Sequence, residues 1–518
     1  MRASLTRGGV MLAVLFGLPV TGAFAAVTAI MCHPDPPGTK TARVNGVVKH
    51  YRMRGTGVNI VYRAAHGCRS THWTIGRTLA PTRPVRAAAC ADTPITEMAT
   101  PRGGTGRVSL IPGSADRPDR VRVVSASGVV RSWPLAERVR RLDSFGQTAV
   151  FAGPEREVYA VGLHDGRVAL VGLDRRGDVP QIDTAGVVFQ DNLAKKSEHS
   201  GRTLMKFIPS SAVERALTNA GKPVDLPGRV EAIGMDGFRV ALAMHRPGEC
   251  AQILYWNIAW DYTSKITDED ERTCQLSEAG GEIRSVAIAG IRSAWMIHSR
   301  RADRILTSNS TACFDRIVST VTRRDGGVAS LSGDGGSLVY AVRNDGGRGN
   351  AIGAVRGRDV QTLVREGAPV AVSADAGRIA VLDRTGAIDI RLSTGELAGT
   401  VPNTDAVAIA LRAERLVVLT RSGRLQVFST ATQEKLRDWP APAGVSSRID
   451  AQFGFAVVTA GGNVYTVSLT TGRRSLVASV PGPVLAEIEP SGIAYAYNTG
   501  TGGHLRFVRF ADLEAAMR

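Results

Sequence analysis

Four stretches of this chain repeat one pattern. Residues 160–170, 381–390, 418–427 and 457–467 each hold a β-branched run, a polar turn and a second run with alternating apolar residues. The turns fall at Gly166, Gly386, Gly423 and Gly462, and the last three are 37 and 39 residues apart. Glycine admits the positive φ of a tight hairpin, and alternation puts one face of each strand on a core. A second turn follows at Thr394-Gly395 and at Thr471-Gly472, and further hairpins turn at Gly336 and Gly377, 41 residues apart. One such unit cannot bury both of its faces, so the units must stack or close into a ring. A Gly count of 57 with 5% aromatic residues argues against a coiled coil or helical bundle.

Short strands at this rhythm predict the four-stranded blades of a β-propeller within an all-β fold. The segments 228–280, 281–324, 325–367, 368–403, 404–444, 445–481 and 482–518 make seven units, so residues 226–518 are expected to form a seven-bladed ring with a short C-terminal helix. A second internal match lies upstream at an offset of 300: Phe207 with Phe507, Ile208 with Val508, Val213 with Leu513 and Glu214 with Glu514. Gly186-Val187-Val188-Phe189 also matches Gly492-Ile493-Ala494-Tyr495. Both regions read as two strands and a short helix, the first helix near 209–220. Two similar endings predict two modules. Residues 26–225 would form a smaller β-rich unit of about four blade-like repeats. The alternative is one larger ring through the whole chain.

The first 25 residues read as a secretory signal: Arg2 and Arg7, an apolar run over 8–20, then Ala23-Phe24-Ala25 as the small-x-small cleavage site. The run is short for a membrane span, and no transmembrane segment is expected in the mature chain. The expected location is extracytoplasmic: secreted, periplasmic or at the cell surface. Six cysteines in an exported chain favour disulfides. Proximity pairs Cys68 with Cys90 and Cys250 with Cys274, leaving Cys32 with Cys313. No Cys/His spacing suits zinc.

The hairpin turns resemble WD40-like and quinoprotein-type propeller repeats of exported bacterial proteins, at the level of the repeat alone. The Gly-rich hairpin followed by Thr-Gly is the quinoprotein-like part. WD40 repeats would carry Gly-His and Trp-Asp pairs, whereas here the order is Asp438-Trp439. Quinoprotein alcohol dehydrogenases carry adjacent cysteines, and this chain has none. The resemblance therefore implies a fold and no particular chemistry.

The chain holds no G-x-S-x-G, H-E-x-x-H, G-x-x-x-x-G-K-[ST] or G-x-G-x-x-G. No catalytic, metal or cofactor residue is assigned, and no cofactor is expected. The acidic run 268–271 reads as a loop tip, 344–349 and 499–503 as hairpin loops, and His66, Cys68 and His72 as ordinary residues. Tyr255, Trp256, Trp260 and Tyr262 read as blade core before binding surface.

The formal charge of +17 is uneven. Residues 26–142 hold 19 Lys+Arg against 6 Asp+Glu, and residues 143–518 hold 43 against 41. Arg43, Arg52, Arg54, Arg138, Arg140 and Arg141 are candidate anion contacts, since Arg pairs bidentately with phosphate and carboxylate. The favoured function is an exported, non-catalytic binding or scaffold protein with a protein or glycan partner. The alternatives are a hydrolase, lyase or quinoprotein-like enzyme with residues converging on the ring axis, and docking of the basic module on an anionic cell-surface polymer. Nucleic acid is not an expected partner.

Overall fold

The computed structural model describes residues 36–518, except 37, 76–78, 88–89, 91–105, 115–116, 136–137, 140, 154–156, 174–179, 191–202, 268–271, 291, 310–311, 323–325, 335–336, 344–350, 357–358, 366, 403, 501 and 518. Among them, 44 strands form eleven antiparallel sheets, and nine of these have four strands. The fold is an all-β propeller of successive antiparallel sheets. Numbered in chain order, the sheets span 47–86 (I), 106–134 (II), 141–173 (III), 181–209 (IV), 229–265 (V), 282–322 (VI), 328–364 (VII), 369–401 (VIII), 406–440 (IX), 445–479 (X) and 484–509 (XI).

Sheets V to XI follow one another around an axis. The first strand of each packs on the first strand of the next, and Arg229–Asp236 of sheet V packs back on Val484–Glu489 of sheet XI. Burial follows from this. Second strands such as Arg239–His245, Ser337–Val342 and Arg415–Thr420 are buried almost throughout, whereas outermost strands such as Lys435–Pro440 and Arg474–Ser479 are largely exposed. Near the axis the space narrows, and the inner strands carry small residues there, among them Ala232, Ala287, Ala374, Ala408, Ala410 and Ala451. At Gly333 a Cβ would stand 2.1 Å from the Ile288 carbonyl oxygen, so only glycine permits that approach.

Two sheets take one strand from far away in the chain. Val224–Leu226 completes sheet XI by pairing with Gly502–Arg509, in the register Val224↔Leu505, Asp225↔His504 and Leu226↔Gly503. Lys40–Val44 likewise completes sheet IV by pairing with Thr203–Pro209. The residues matched at an offset of 300 lie in these two sheets and in the helices that follow them. Helix α1 covers Ser210–Asn219, after Pro209. A second helix, α2, covers Arg272–Glu278, and α3 covers Phe510–Met517.

Sheets I to IV lie outside the circuit formed by V to XI. Sheet IV contacts I and III. The buried Gln181 amide links I to IV as a strand would: its Oε1 accepts from Met53 N and its Nε2 donates to the Tyr51 carbonyl, both at 2.8 Å. Apolar clusters run continuously from III and IV into V and VI, joining Tyr159 to Phe238 and Val187 to Trp295. Inside this contact Arg239 pairs with Glu157 at 2.9 Å, each 1% exposed. Burial pushes the Glu157 carboxyl above its ordinary value despite Arg239.

One device recurs in both halves. The indole of Trp133 donates to the Leu163 carbonyl and covers Gly166; the indole of Trp439 donates to the Leu469 carbonyl and covers Gly472. Each tryptophan ends the last strand of one sheet and seals the hairpin between the last two strands of the next. Gly166 is thus the counterpart of Gly472. The turns at Gly386, Gly423 and Gly462 lie one strand earlier in their sheets. A Cβ on Gly472, at φ +70°, would stand 2.6 Å from the Trp439 ring. Gly472→Ala should therefore cost about 1–3 kcal/mol in urea unfolding. In the Gly472→Ala/Trp439→Ala double variant the loss should be clearly smaller than the sum of the single losses.

Candidate functional site

The seven inner strands enclose an axial cavity of about 920 Å³. They run in one direction, because neighbouring strand ends bond to one another. Gly290 N donates to Asp236, Ala374 N donates to Ser332 Oγ at 3.0 Å, and Ala413 N donates to Asp375. Ile488 N donates to Asp450 at 3.0 Å, and Ser491 Oγ donates to the Gly237 carbonyl. The C-terminal ends of these strands form one pole of the cavity. Asp236, Asp375, Asp450, Glu487 and Glu489 gather there with Arg412.

Arg412 holds this pole together. Its guanidinium meets Glu489 at 2.7 Å, Asp375 at 3.3 Å and Asp450 at 3.4 Å, and its Nε donates to the Ala451 carbonyl at 2.8 Å. It therefore ties sheets VIII, IX, X and XI. Burial opposes its charge, but Glu489, Asp450 and Asp375 more than offset that and raise its pKa well above the ordinary value. The Glu489 carboxyl is pushed well up by burial, with Asp236, Asp450 and Asp375 adding to the effect.

Glu487 differs from its neighbours. It faces the cavity, half-buried, and its carboxyl hydrogen-bonds to that of Asp450. Burial first, and the charge and hydrogen bond of Asp450 next, raise its pKa well above the carboxylate range; Arg448 and Arg412 offset this only in part. Asp375, Asp450 and Asp236 are spent on backbone N–H groups at the joints, and Glu489 on Arg412. Glu487 is the carboxyl of this pole that no ring joint uses, and its raised pKa favours the protonated form.

Other residues singled out in the sequence have plainer roles. Disulfides join Cys68 to Cys90 and Cys250 to Cys274. The expected partner of Cys313, Cys32, lies outside the described residues, as do Arg140, the acidic run 268–271 and the loop 344–349. His66 is exposed, and His72 Nδ1 bonds Asn59. No group of His, Cys, Asp and Glu that could hold a metal occurs among the described residues. Trp256 is fully buried and its indole donates to the Trp260 carbonyl, Tyr255 is buried, and Tyr262 stacks on Trp260 from outside. Arg43, Arg52 and Arg54 are exposed on sheets IV and I, and Arg141 begins the strand Arg141–Phe145. Arg138 pairs with Asp119 at 2.8 Å and also reaches the cavity lining.

Thr499 and Gly502 face each other where the strands Gly492–Thr499 and Gly502–Arg509 of sheet XI meet. Thr499, His504 and Asp225 make a hydroxyl–imidazole–carboxylate chain there. Asp225 is 67% exposed and lies on the closing strand. Bonds from His504 and Arg506 hold its carboxyl below the ordinary range. The chain of bonds pins the closing strand on the outer surface.

Sequence reading missed Arg412, Asp450 and Glu487. No linear motif joins them, since they sit on three sheets.

No protein-family model and no curated protein matches the chain. Solved structures similar to it include a chain of a mitotic checkpoint complex, with 15% identity over 56% of this chain and 94% of that one, at a TM-score of 0.40. YCF48 from Cyanidioschyzon merolae shows 12% identity over 54% and 96%, at 0.40. The WD40 domain of Neurospora crassa Pan2 shows 10% over 55% and 91%, at 0.37.

Two outcomes test the pole. Arg412→Met leaves three carboxyls facing one another, and should cost about 3–5 kcal/mol at neutral pH. The loss should shrink in acid, where the carboxyls are protonated; urea unfolding at both conditions measures it. Glu487 binds its proton more tightly folded than unfolded, so its contribution to stability falls as pH rises from about 4.5 towards its raised folded pKa. Glu487→Gln should therefore stabilise the protein above that window and leave it unchanged below, read as melting temperature against pH.

Proposed function

We propose that the protein is an exported, non-catalytic propeller whose axial cavity binds a cationic group of a partner, such as a lysine or arginine side chain of a peptide. In this reading residues 224–518 form a self-closed seven-bladed ring, two residues earlier than the expected boundary at 226 because Val224–Leu226 supplies the closing strand, and the residues from 26 to 223 form a smaller module docked on sheet V. The location outside the cytoplasm rests on the signal-like N-terminus and the disulfides. Among the described residues, no helix is long and apolar enough to cross a membrane.

The observation that carries the reading is the place of Glu487: its carboxyl faces the cavity beside Asp450, while Asp236, Asp375, Asp450 and Glu489 are committed to the ring joints. An incoming ammonium or guanidinium would displace the proton that its raised pKa favours and pair with both Glu487 and Asp450. Charge-assisted bonds in a confined, partly desolvated site are strong enough to orient such a group. The same proton favours a second reading, an enzyme with Glu487 as general acid. A ligand recovered unchanged after long incubation supports binding; a ligand recovered cleaved or eliminated supports catalysis.

Titration calorimetry with short lysine- or arginine-containing peptides tests the proposal. Binding at about pH 7 should release a fraction of a proton, seen as a dependence of the heat on the buffer's ionisation enthalpy. Glu487→Gln should abolish the release and weaken binding about tenfold or more. Absence of binding, or equal binding and proton release by the variant, contradicts it.

A further inference from the structure

Between Pro36 and Ala91 the chain has ten Lys and Arg and no Asp or Glu. This stretch builds sheet I and the strand that completes sheet IV. The inner face of sheet I is apolar: Val48, Tyr51, Met53, Val58, Ile60, Tyr62 and Trp73 pack on Val188, Met205 and Phe207 of sheet IV. Alternation along the strands sends the remaining residues outward. Arg52 and Arg54 stand two residues apart on Val47–Arg54, and Arg63 stands on the neighbouring Gly57–Ala64. All three are exposed, and none forms an ion pair among the described residues. His72, also exposed, lies on the third strand in the row of Arg52 and Asn59.

Other sheets mix the two signs of charge: exposed Arg424 lies beside Asp438 and exposed Arg284 beside Glu282. Sheet I offers no such partner, so its face carries uncompensated positive charge. Two neighbouring strands of one sheet face present that charge. Val85, 60% exposed, projects from the strand at the edge of the same face, opposite Ser70. Planar Arg groups beside an exposed apolar side chain match a lipid surface, where guanidinium meets phosphate and the apolar group reaches the acyl boundary.

We propose that the outward face of sheet I docks the protein on an anionic phospholipid bilayer through Arg52, Arg54 and Arg63. The contact is peripheral and electrostatic, and independent of the axial cavity. Each arginine near an anionic surface is worth about fivefold in partitioning, so three together amount to about a hundredfold.

The test is flotation of the purified protein with phosphatidylcholine vesicles that contain or lack phosphatidylglycerol. The wild type should float only with the anionic vesicles and be released by high salt. The Arg52→Gln/Arg54→Gln/Arg63→Gln variant, with the same N-terminus, should lose about a hundredfold in partitioning. Arg421→Gln/Arg437→Gln, exposed on sheet IX, should retain binding. Melting temperature reports whether the triple variant is folded; if it is not, salt release of the wild type and Arg52→Gln alone decide. Equal flotation of the variant, indifference to phosphatidylglycerol, or retention on soluble polyphosphate without vesicle binding overturns the proposal.

Discussion

Ring closure is the constraint on which the rest of this molecule depends. Each sheet buries its faces only against its neighbours, so an open end would expose two apolar surfaces and a row of unpaired strand groups. The chain closes the circuit by giving sheet XI a strand that precedes sheet V in sequence, Val224–Leu226. First and last repeats are thereby joined by a hydrogen-bonded ladder as well as by packing. Asp225, held by His504 and Arg506, adds side-chain bonds to that ladder.

Closure also decides where charge is tolerated. Around the axis the inner strands approach so closely that Gly333 and a set of alanines fill the space, and backbone groups at the strand ends need partners. Asp236, Asp375 and Asp450 supply those partners. Several carboxylates so near one another repel, and Arg412 offsets the repulsion by reaching three of the sheets around it. Glu487, left with Asp450 as its carboxyl neighbour, has its pKa raised well above the carboxylate range. The chemical character of the cavity is in this sense a by-product of how the ring is latched.

Much of the architecture was legible in the sequence, and most of the site was not. Hairpins at Gly386, Gly423 and Gly462 announce themselves because positive φ and strand alternation are local requirements. The match of Phe207 and Val213 with Phe507 and Leu513 was legible for the same reason: two sheets ending in a helix need the same apolar positions. Gly166 shows the limit. Its hairpin looks like the others, yet the ring of Trp133 above it places it with Gly472, one strand further along its sheet. That distinction depends on a residue more than thirty positions away. Arg412, Asp450 and Glu487 are further from legibility still, because only the packing of three successive sheets about the axis brings their strands together.

The most direct test of this account is a cross-link across the closing ladder. Asp225 and His504 lie directly opposite each other, 279 residues apart in sequence. In the Asp225→Cys/His504→Cys variant a short bifunctional thiol reagent should join the two positions in the folded monomer, with peptide mapping placing the link there and the native disulfides intact. Links formed only between molecules, or none in folded protein that reacts at each single cysteine, would contradict closure through residues 224–226.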